Sequence, residues 1–506
     1  MPKKPVAKPV AKESAADIAK ETKAVAPADD YKVRVRMYRH GLGDCHLLTF
    51  PRKDRAPFQM LIDFGALHRS KEQMMPFAEE IEETLRNDAS AMKSKAARLD
   101  VVVATHEHKD HLSGFNQARE VFDRMDIGGV WMGWTENPKD EGAKKLLGIQ
   151  ENAAAHLRAV LASPRMAGMA ALEDVRSILE FSDGDDTDLA GRKTIAHALA
   201  YLRKRGEKAK QMKYLEPGQS PVELDGVEGV RVYVLGPPRQ TDFLLRSDPT
   251  KKMQKDEVVY HLARGFEAAL AANVSAARNV AAKARVPGVD DPFQPFACEH
   301  RLTPQSVWWS EVKNFIAETY DDPEEEWRRI DNLWLGAFDQ LALKLTGDVN
   351  NTSLVLAFEL VETGEVLLYV GDAQVGNWLS WANVEFKLPN EPLPLPAHDL
   401  LRRTVFYKVG HHASHNATLA KGGLKLMTSK KLVAFVPLDM ETAKKQGRKN
   451  AKGTPKGWEM PAKALRKALE LHTSDRLVIS DVNEKCPKAA KKAGVRETPS
   501  YYEFRL

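Results

Sequence analysis

The 506-residue sequence predicts a mixed α/β fold whose strands end in metal-binding chemistry. Three observations carry that reading. Short apolar runs of strand character recur along the chain, separated by stretches of helical periodicity. Several of those runs stop at a histidine or an aspartate. One of them, Val101-Val-Val-Ala104, delivers His106, His108, Asp110 and His111 almost at once.

Imidazoles and a carboxylate at this density cost too much desolvation beside an apolar strand unless a cation sits among them. On a loop leaving a strand, alternate residues face one point. His106 and His108 can therefore share one ion, while Asp110 and His111 turn toward a second. A lone His-x-His is more often a solvated turn, but the strand context makes this one a ligand set.

The elements follow in order. Residues 1–30 are rich in Lys, Ala and Pro and read as a disordered tail. Val33 to Tyr38, Gly41 to Phe50 and Gln59 to Gly65 read as strands, with Asp63 ending the third beside a glycine, where its carboxylate can accept a hydrogen bond from a ligand imidazole. Gly41 and Gly43 fit a hairpin, since no helix with a GK[ST] sequence follows them. His40, His46 and His68 stand alone and are read as lying outside the metal set. Ser70 to about Ala97 and Phe115 to Met125 have helical spacing, and Gly128 to Trp134 is a short strand.

Two largely helical insertions are expected, at about 139–213 and 239–346. The acidic run Asp183 to Asp188 in the first lacks the closing Glu of a calcium loop and reads as a solvated turn. The aromatic stretch Val307-Trp-Trp-Ser310 and Trp327 in the second read as core. Between and beyond the insertions strand pattern covers Gly229 to Pro238, Val349 to Phe358, Gly364 to Ala373 with its strand end at Asp372, and Thr404 to His415 with its strand end at the histidines. Asp372 ends one of these, and His411 with His412 ends another, so three strand ends carry candidate ligands.

Composition narrows the class. Three widely spaced cysteines, Cys45, Cys298 and Cys486, support neither a disulfide framework nor a cysteine zinc site, and they suit a reducing compartment. No run of about 18 apolar residues occurs, and the N-terminus lacks the apolar core of a signal peptide, so a cytoplasmic protein without membrane contact is expected. The formal charge is +5, yet Leu401 to Leu506 holds 23 Lys and Arg against 9 Asp and Glu. A region of +14 makes a local field that an anionic partner would feel.

Taken in order, the blocks Gly41-x-Gly-Asp44, Asp63-x-Gly65, His106-x-His-x-Asp-His111, Leu235-x-Pro-Pro238, Asn350-x-x-Ser-Leu-Val-Leu356, Gly371-Asp-Ala373 and Lys408-x-x-His-His-x-Ser414 resemble the metallo-β-lactamase domain of ComEC-type competence proteins. The resemblance covers about half of the chain, in pieces. It implies a four-layer αβ/βα sandwich over residues 31–506, with two divalent ions, Zn²⁺ or Mn²⁺, at one edge. By the resemblance His106 and His108 hold the first ion, Asp110, His111 and His411 hold the second, Asp372 bridges them, and Asp63 stands behind a ligand histidine.

Asn350 and Ser353 fall where other branches of the fold place a third histidine, and with Ser414 they are assigned to substrate. The implied reaction is phosphodiester hydrolysis of DNA or RNA by a hydroxide shared between the ions. Asp110 or Asp372 would orient the hydroxide, and His412 or Lys408 would assist the leaving group. The fold also hosts acyl hydrolases of lactones and thioesters, and a non-enzymatic metal protein docking partners through its insertions is the remaining alternative. Ala413 stands where the family has glycine, and the transmembrane channel of full ComEC proteins is absent.

Overall fold

A computed structural model describes residues 31–90, 97–161, 194–246, 307–319, 347–389, 391–446 and 457–506. The N-terminal tail, the acidic run at 183–188, Cys298, Trp327 and four residues of the basic C-terminal loop, Arg448, Lys449, Lys452 and Lys456, lie outside the described residues.

The chain is a mixed α/β protein built on two sheets. The first is formed by β1 (Arg34–Tyr38), β2 (Cys45–Phe50), β3 (Phe58–Phe64), β4 (Val101–Val103), β5 (Val130–Gly133) and β6 (Met212–Leu215), closed at its other edge by the last strands of the chain. The second contains β7 (Val222–Glu223), β8 (Val230–Gly236), β9 (Val355–Leu360), β10 (Glu365–Tyr369), β11 (Thr404–Lys408), β12 (Val433–Val436) and β13 (Leu477–Ile479). The chain then returns to the first sheet as β14 (Arg496–Glu497) and β15 (Tyr501–Arg505), giving the order β14-β15-β1-β2-β3-β4-β5-β6. The second sheet is ordered β13-β12-β11-β10-β9-β8-β7. Each sheet is antiparallel over one half and parallel over the other: β3 to β6 run parallel, as do β10 to β13.

Side-chain alternation sorts these strands into layers. Val101 and Val103 join Phe50, Met60, Phe358, Phe406 and Phe435 in a core shared by the two sheets. Val102 and Ala104 point the other way, onto helices α1 (Lys71–Ser90), α2 (Lys109–Gln117) and α4 (Thr194–Lys208); α3 (Glu141–Leu161) lies between α2 and α4 in sequence. On the far side of the second sheet, Leu368, Tyr407 and Val436 pack on Trp378, Leu400 and Leu469 of three further helices. Helices, sheet, sheet and helices thus stack in four layers. Burial on both faces is why the parallel strands read as continuous apolar runs rather than alternating ones.

Several expected boundaries move. The helix expected from Phe115 begins at Lys109, so Asp110 and His111 occupy its first turn rather than a loop. The strand expected from Val349 begins at Val355, because residues 347–350 form a helical turn and Asn351 and Thr352 continue it in a turn held by side-chain hydrogen bonds. Among the described residues the second insertion shows the short helix Thr241–Leu244 and the helix Trp309–Thr319, called α5. Val307 and Trp308 are exposed rather than core, at 88% and 63%. No helix among the described residues is long and apolar enough to cross a membrane.

The C-terminal strand is locked in place by Arg36 of β1. Its Nε donates to Glu503 Oε2 at 2.7 Å and its Nη1 to Thr84 Oγ1 at 2.7 Å, while its guanidinium lies over the Tyr501 ring. Burial opposes ionisation of Glu503, but Arg36 outweighs it and holds the carboxyl below its ordinary value. A depressed carboxyl pKa stabilises the fold above the unfolded-state value and loses that contribution as pH falls through the folded-state value. Glu503→Gln should therefore cost about 1.5–3 kcal/mol at neutral pH, and urea unfolding should show the gap to wild type closing as pH falls below about 4.

Candidate metal centre

The carboxyl ends of the parallel strands, where ligands bind in open α/β sheets, gather the chemistry. Asp63 comes from the end of β3, Thr105 to His111 from the end of β4, Asp372 from beyond β10, and His411 and His412 from beyond β11. A further residue joins them at the start of the antiparallel β2, which meets the same edge: Asp44. Ligand atoms of Asp44, His111, Asp372 and His412 all lie within 4.8 Å of one another, and all four residues are buried.

Close backbone approach makes that convergence possible. Asp44 N donates to Asp110 O at 2.9 Å, and Gly65 N donates to Asp44 O at 3.2 Å. A Cβ at Gly43 would fall 2.2 Å from Gly65 O and 2.5 Å from Asp110 O, so only glycine lets these three loops meet. Non-glycine backbone is also driven into the left-handed region here: Asp63 (φ 56°), His411 (43°), His412 (50°) and Ala413 (60°). Conformations of this kind cost of order 1–3 kcal/mol each and persist only where surrounding contacts over-determine them. Ala413 meets this positive φ with its methyl fully buried.

Hydrogen bonding assigns the proton on Nδ1 of two imidazoles. His412 Nδ1 faces Pro437 O at 2.6 Å, and a carbonyl only accepts, so Nδ1 carries the proton and Nε2 faces Asp110 Oδ2 at 2.8 Å. His111 Nδ1 donates to Asp63 Oδ2 at 2.7 Å, and that carboxylate is itself held by Thr105 N and Thr105 Oγ1. Ser414 Oγ lies 2.6 Å from His411 Nδ1 and within hydrogen-bond reach of Asn416 Oδ1, so it holds the His411 ring in place. Behind His111 an acceptor fixes the tautomer and turns Nε2 forward, the arrangement that prepares a histidine to bind metal, whereas His412 Nε2 is turned onto Asp110.

Electrostatics divides the histidines. Burial opposes a charge on His111, but Asp372, Asp110 and Asp44 overcome it and raise its pKa well above the ordinary value. Burial likewise opposes a charge on His412, and its bond to Asp110 together with Asp372 outweighs it, so its pKa is raised. Burial, reinforced by neighbouring histidines, lowers His106 well below its usual range, and burial takes His108 and His411 to about 4 despite nearby carboxylates. Asp372 is held well below the carboxylate range: burial is offset by His111, Lys408 and His412. Asp44 is raised, because burial exceeds the pull of Lys408.

The residues expected from sequence are placed as follows. His106 Nε2 and His108 Nδ1 lie 3.0 Å apart, and His111 Nε2 lies 3.2 Å from Asp372 Oδ2 and 3.6 Å from Asp110 Oδ2. His411 contributes its backbone N–H to Asp372 Oδ1 at 2.9 Å, while its ring sits between Asn350 and Ser414. Ser353 Oγ accepts from Asp372 N, and Ser414 orients His411, so both hydroxyls serve ligand residues. Lys408 is 1% exposed, with its ammonium on Asp44, Gly371 O and Asp372. Sequence reasoning passed over Asp44, Thr105 and Gln374, whose Nε2 lies 3.3 Å from His411 Nδ1. For Asp44 a signal existed in the Gly41-x-Gly43 pair, which marks a close backbone approach just before a polar residue.

The donor set suits a divalent cation. Two ligand atoms on a tetrahedral ion with bonds of about 2.0–2.2 Å lie roughly 3.3–3.5 Å apart, close to the His111–Asp372 and His106–His108 separations. Asp110 Oδ1, His111 Nε2 and Asp372 Oδ2 are buried and have no hydrogen-bond partner among the described residues. Buried polar atoms rarely stay unpartnered, and here they converge.

Gly43→Ala tests the dependence of this centre on backbone approach. The overlap is with backbone oxygens that cannot swing away, so a loss of more than about 2 kcal/mol is expected, with weaker Zn²⁺ or Mn²⁺ binding by calorimetry. Comparison of the chain with protein-family models, with curated proteins and with solved structures gives no match.

Proposed function

We propose that the protein is a metal-dependent phosphodiesterase of the metallo-β-lactamase type, acting on nucleic acid. The observation that carries the reading is buried charge. Asp44, Asp63, Asp110 and Asp372 are each at most 2% exposed, and Lys408 is the only lysine or arginine paired with any of them among the described residues. Carboxylates are not gathered at this density without cations to balance them.

Asp110, His111 and Asp372, with Asp44 beside them and with His106 and His108 adjoining, are the residues that would hold divalent cations. Bound there, Zn²⁺ or Mn²⁺ supplies Lewis-acid polarisation of a phosphoryl oxygen and acidifies water at neutral pH. The protein's own part is proton handling and orientation. Asp63 and Thr105 fix His111, and Pro437 O fixes His412. The His412–Asp110 pair keeps a proton at Nε2 for a departing alkoxide. His411, partly exposed, marks the side open to solvent, where Asn350 Oδ1 and Gln374 Oε1, both buried and without a partner among the described residues, adjoin it. The +14 charge of residues 401–506 supports a polyanionic substrate.

Three measurements test this reading. Metal analysis of Asp372→Ala should show reduced divalent content; full occupancy in that variant would remove Asp372 from the ligand set. A panel of single-stranded DNA, double-stranded DNA, RNA and small phosphodiesters with Zn²⁺ and with Mn²⁺ should show turnover that His412→Ala lowers by roughly 100-fold or more. Inert phosphodiesters alongside a turned-over lactone or thioester would reassign the site to acyl hydrolysis. Changing Lys444, Lys445, Arg448 and Lys449 to Gln should flatten the salt dependence of nucleic-acid binding and leave hydrolysis of a small phosphodiester almost unchanged. An unaltered salt slope would make that loop a bystander.

A further inference from the structure

Lys408 and Asp44 belong to different sheets. Along β11, Phe406 points into the core between the sheets while Tyr407 points outward, so Lys408, two residues after Phe406, also points inward. Asp44 immediately precedes β2 of the facing sheet. The ammonium of Lys408 crosses the gap to pair with Asp44, donates to Gly371 O at 2.8 Å, and lies 3.6 Å from Asp372 Oδ1. An ammonium has three protons, and protein acceptors surround this one on a side chain only 1% exposed. Asp372 is correspondingly divided. Its Oδ1 takes Lys408 and the His411 N–H, while its Oδ2 faces His111 Nε2 without a hydrogen bond.

We propose that Lys408 is the resident counter-ion of the centre: it neutralises Asp44 and Asp372 in the metal-free protein, competes with a divalent ion for them, and does not reach substrate. The competition rests on the metal-binding reading above; the counter-ion role rests on the inter-sheet geometry alone. Without the ammonium, two buried carboxylates of the same small cluster would face each other unbalanced, which disfavours the metal-free fold. The same loss makes the cluster more negative and favours a divalent cation.

The test uses the full chain stripped of metal, with urea unfolding and calorimetric titration of Mn²⁺, on wild type, Lys408→Met, Lys408→Arg and the double variant Lys408→Met/Asp44→Asn. Lys408→Met should lower the metal-free urea midpoint, recover most of that loss at saturating Mn²⁺, and bind Mn²⁺ at least about tenfold more tightly. Lys408→Arg, which keeps the charge, should bind Mn²⁺ as wild type does. Adding Asp44→Asn to Lys408→Met should restore the metal-free midpoint and weaken Mn²⁺ binding again. An unchanged midpoint with unchanged or weaker Mn²⁺ binding in Lys408→Met overturns the proposal. If Lys408→Met is unfolded without metal, the double variant decides: recovered folding supports the counter-ion role, and continued unfolding overturns it. Wild type that binds no Mn²⁺ would sink the metal reading, and the metal-free midpoints of the single and double variants would still judge Lys408.

Discussion

Four carboxylates buried at one edge of two sheets are the constraint on which the rest of the site depends. Asp44, Asp63, Asp110 and Asp372 have almost no contact with solvent, so each must find a proton, a cation or a set of donors inside the protein. Asp63 has Thr105 and His111; Asp44 has Lys408; Asp110 has His412; Asp372 has the backbone of His411 and the oxygen of Ser353 at its own N–H. The partners come from both sheets, which ties the geometry of the centre to the packing between them.

Backbone strain concentrates where those partners are aimed. His411, His412 and Ala413 lie consecutively in the left-handed region, and that path sends the His412 ring inward to Asp110 while the His411 N–H meets Asp372. A relaxed extended path would alternate the two rings in a different way. The loop is held from outside by the bond from Ala462 N to Ala413 O and from inside by Pro437 O on His412.

The layered architecture explains why so much polar chemistry coexists with a large apolar core. Phe358, Phe406, Phe435 and Phe504 fill the middle of the space between the sheets, and the polar side chains take over only at the strand ends. His46 and Tyr369 mark the transition. Their rings meet edge to face at 5.6 Å in the inter-sheet layer just below Lys408, and burial takes the His46 pKa well below its usual range. A neutral His46 adds bulk and polarity there without adding charge.

The amino-acid sequence by itself determined the strands and the inventory of donors. An apolar run that stops at His106, Asp372 or His411 is a local signal, written in adjacent residues, and so is the charge of the C-terminal region. Tertiary structure decided the use of each donor. Lys408 is expected to assist a leaving group, yet the alternation of β11 and the facing sheet deliver it to Asp44, which is remote in sequence. Ser414 reads as a substrate contact, yet its hydroxyl is engaged inside the protein between Asn416 and His411. Which nitrogen of a histidine carries its proton, and which cation balances a buried carboxylate, depend on neighbours brought together through space. No spacing along the chain encodes that.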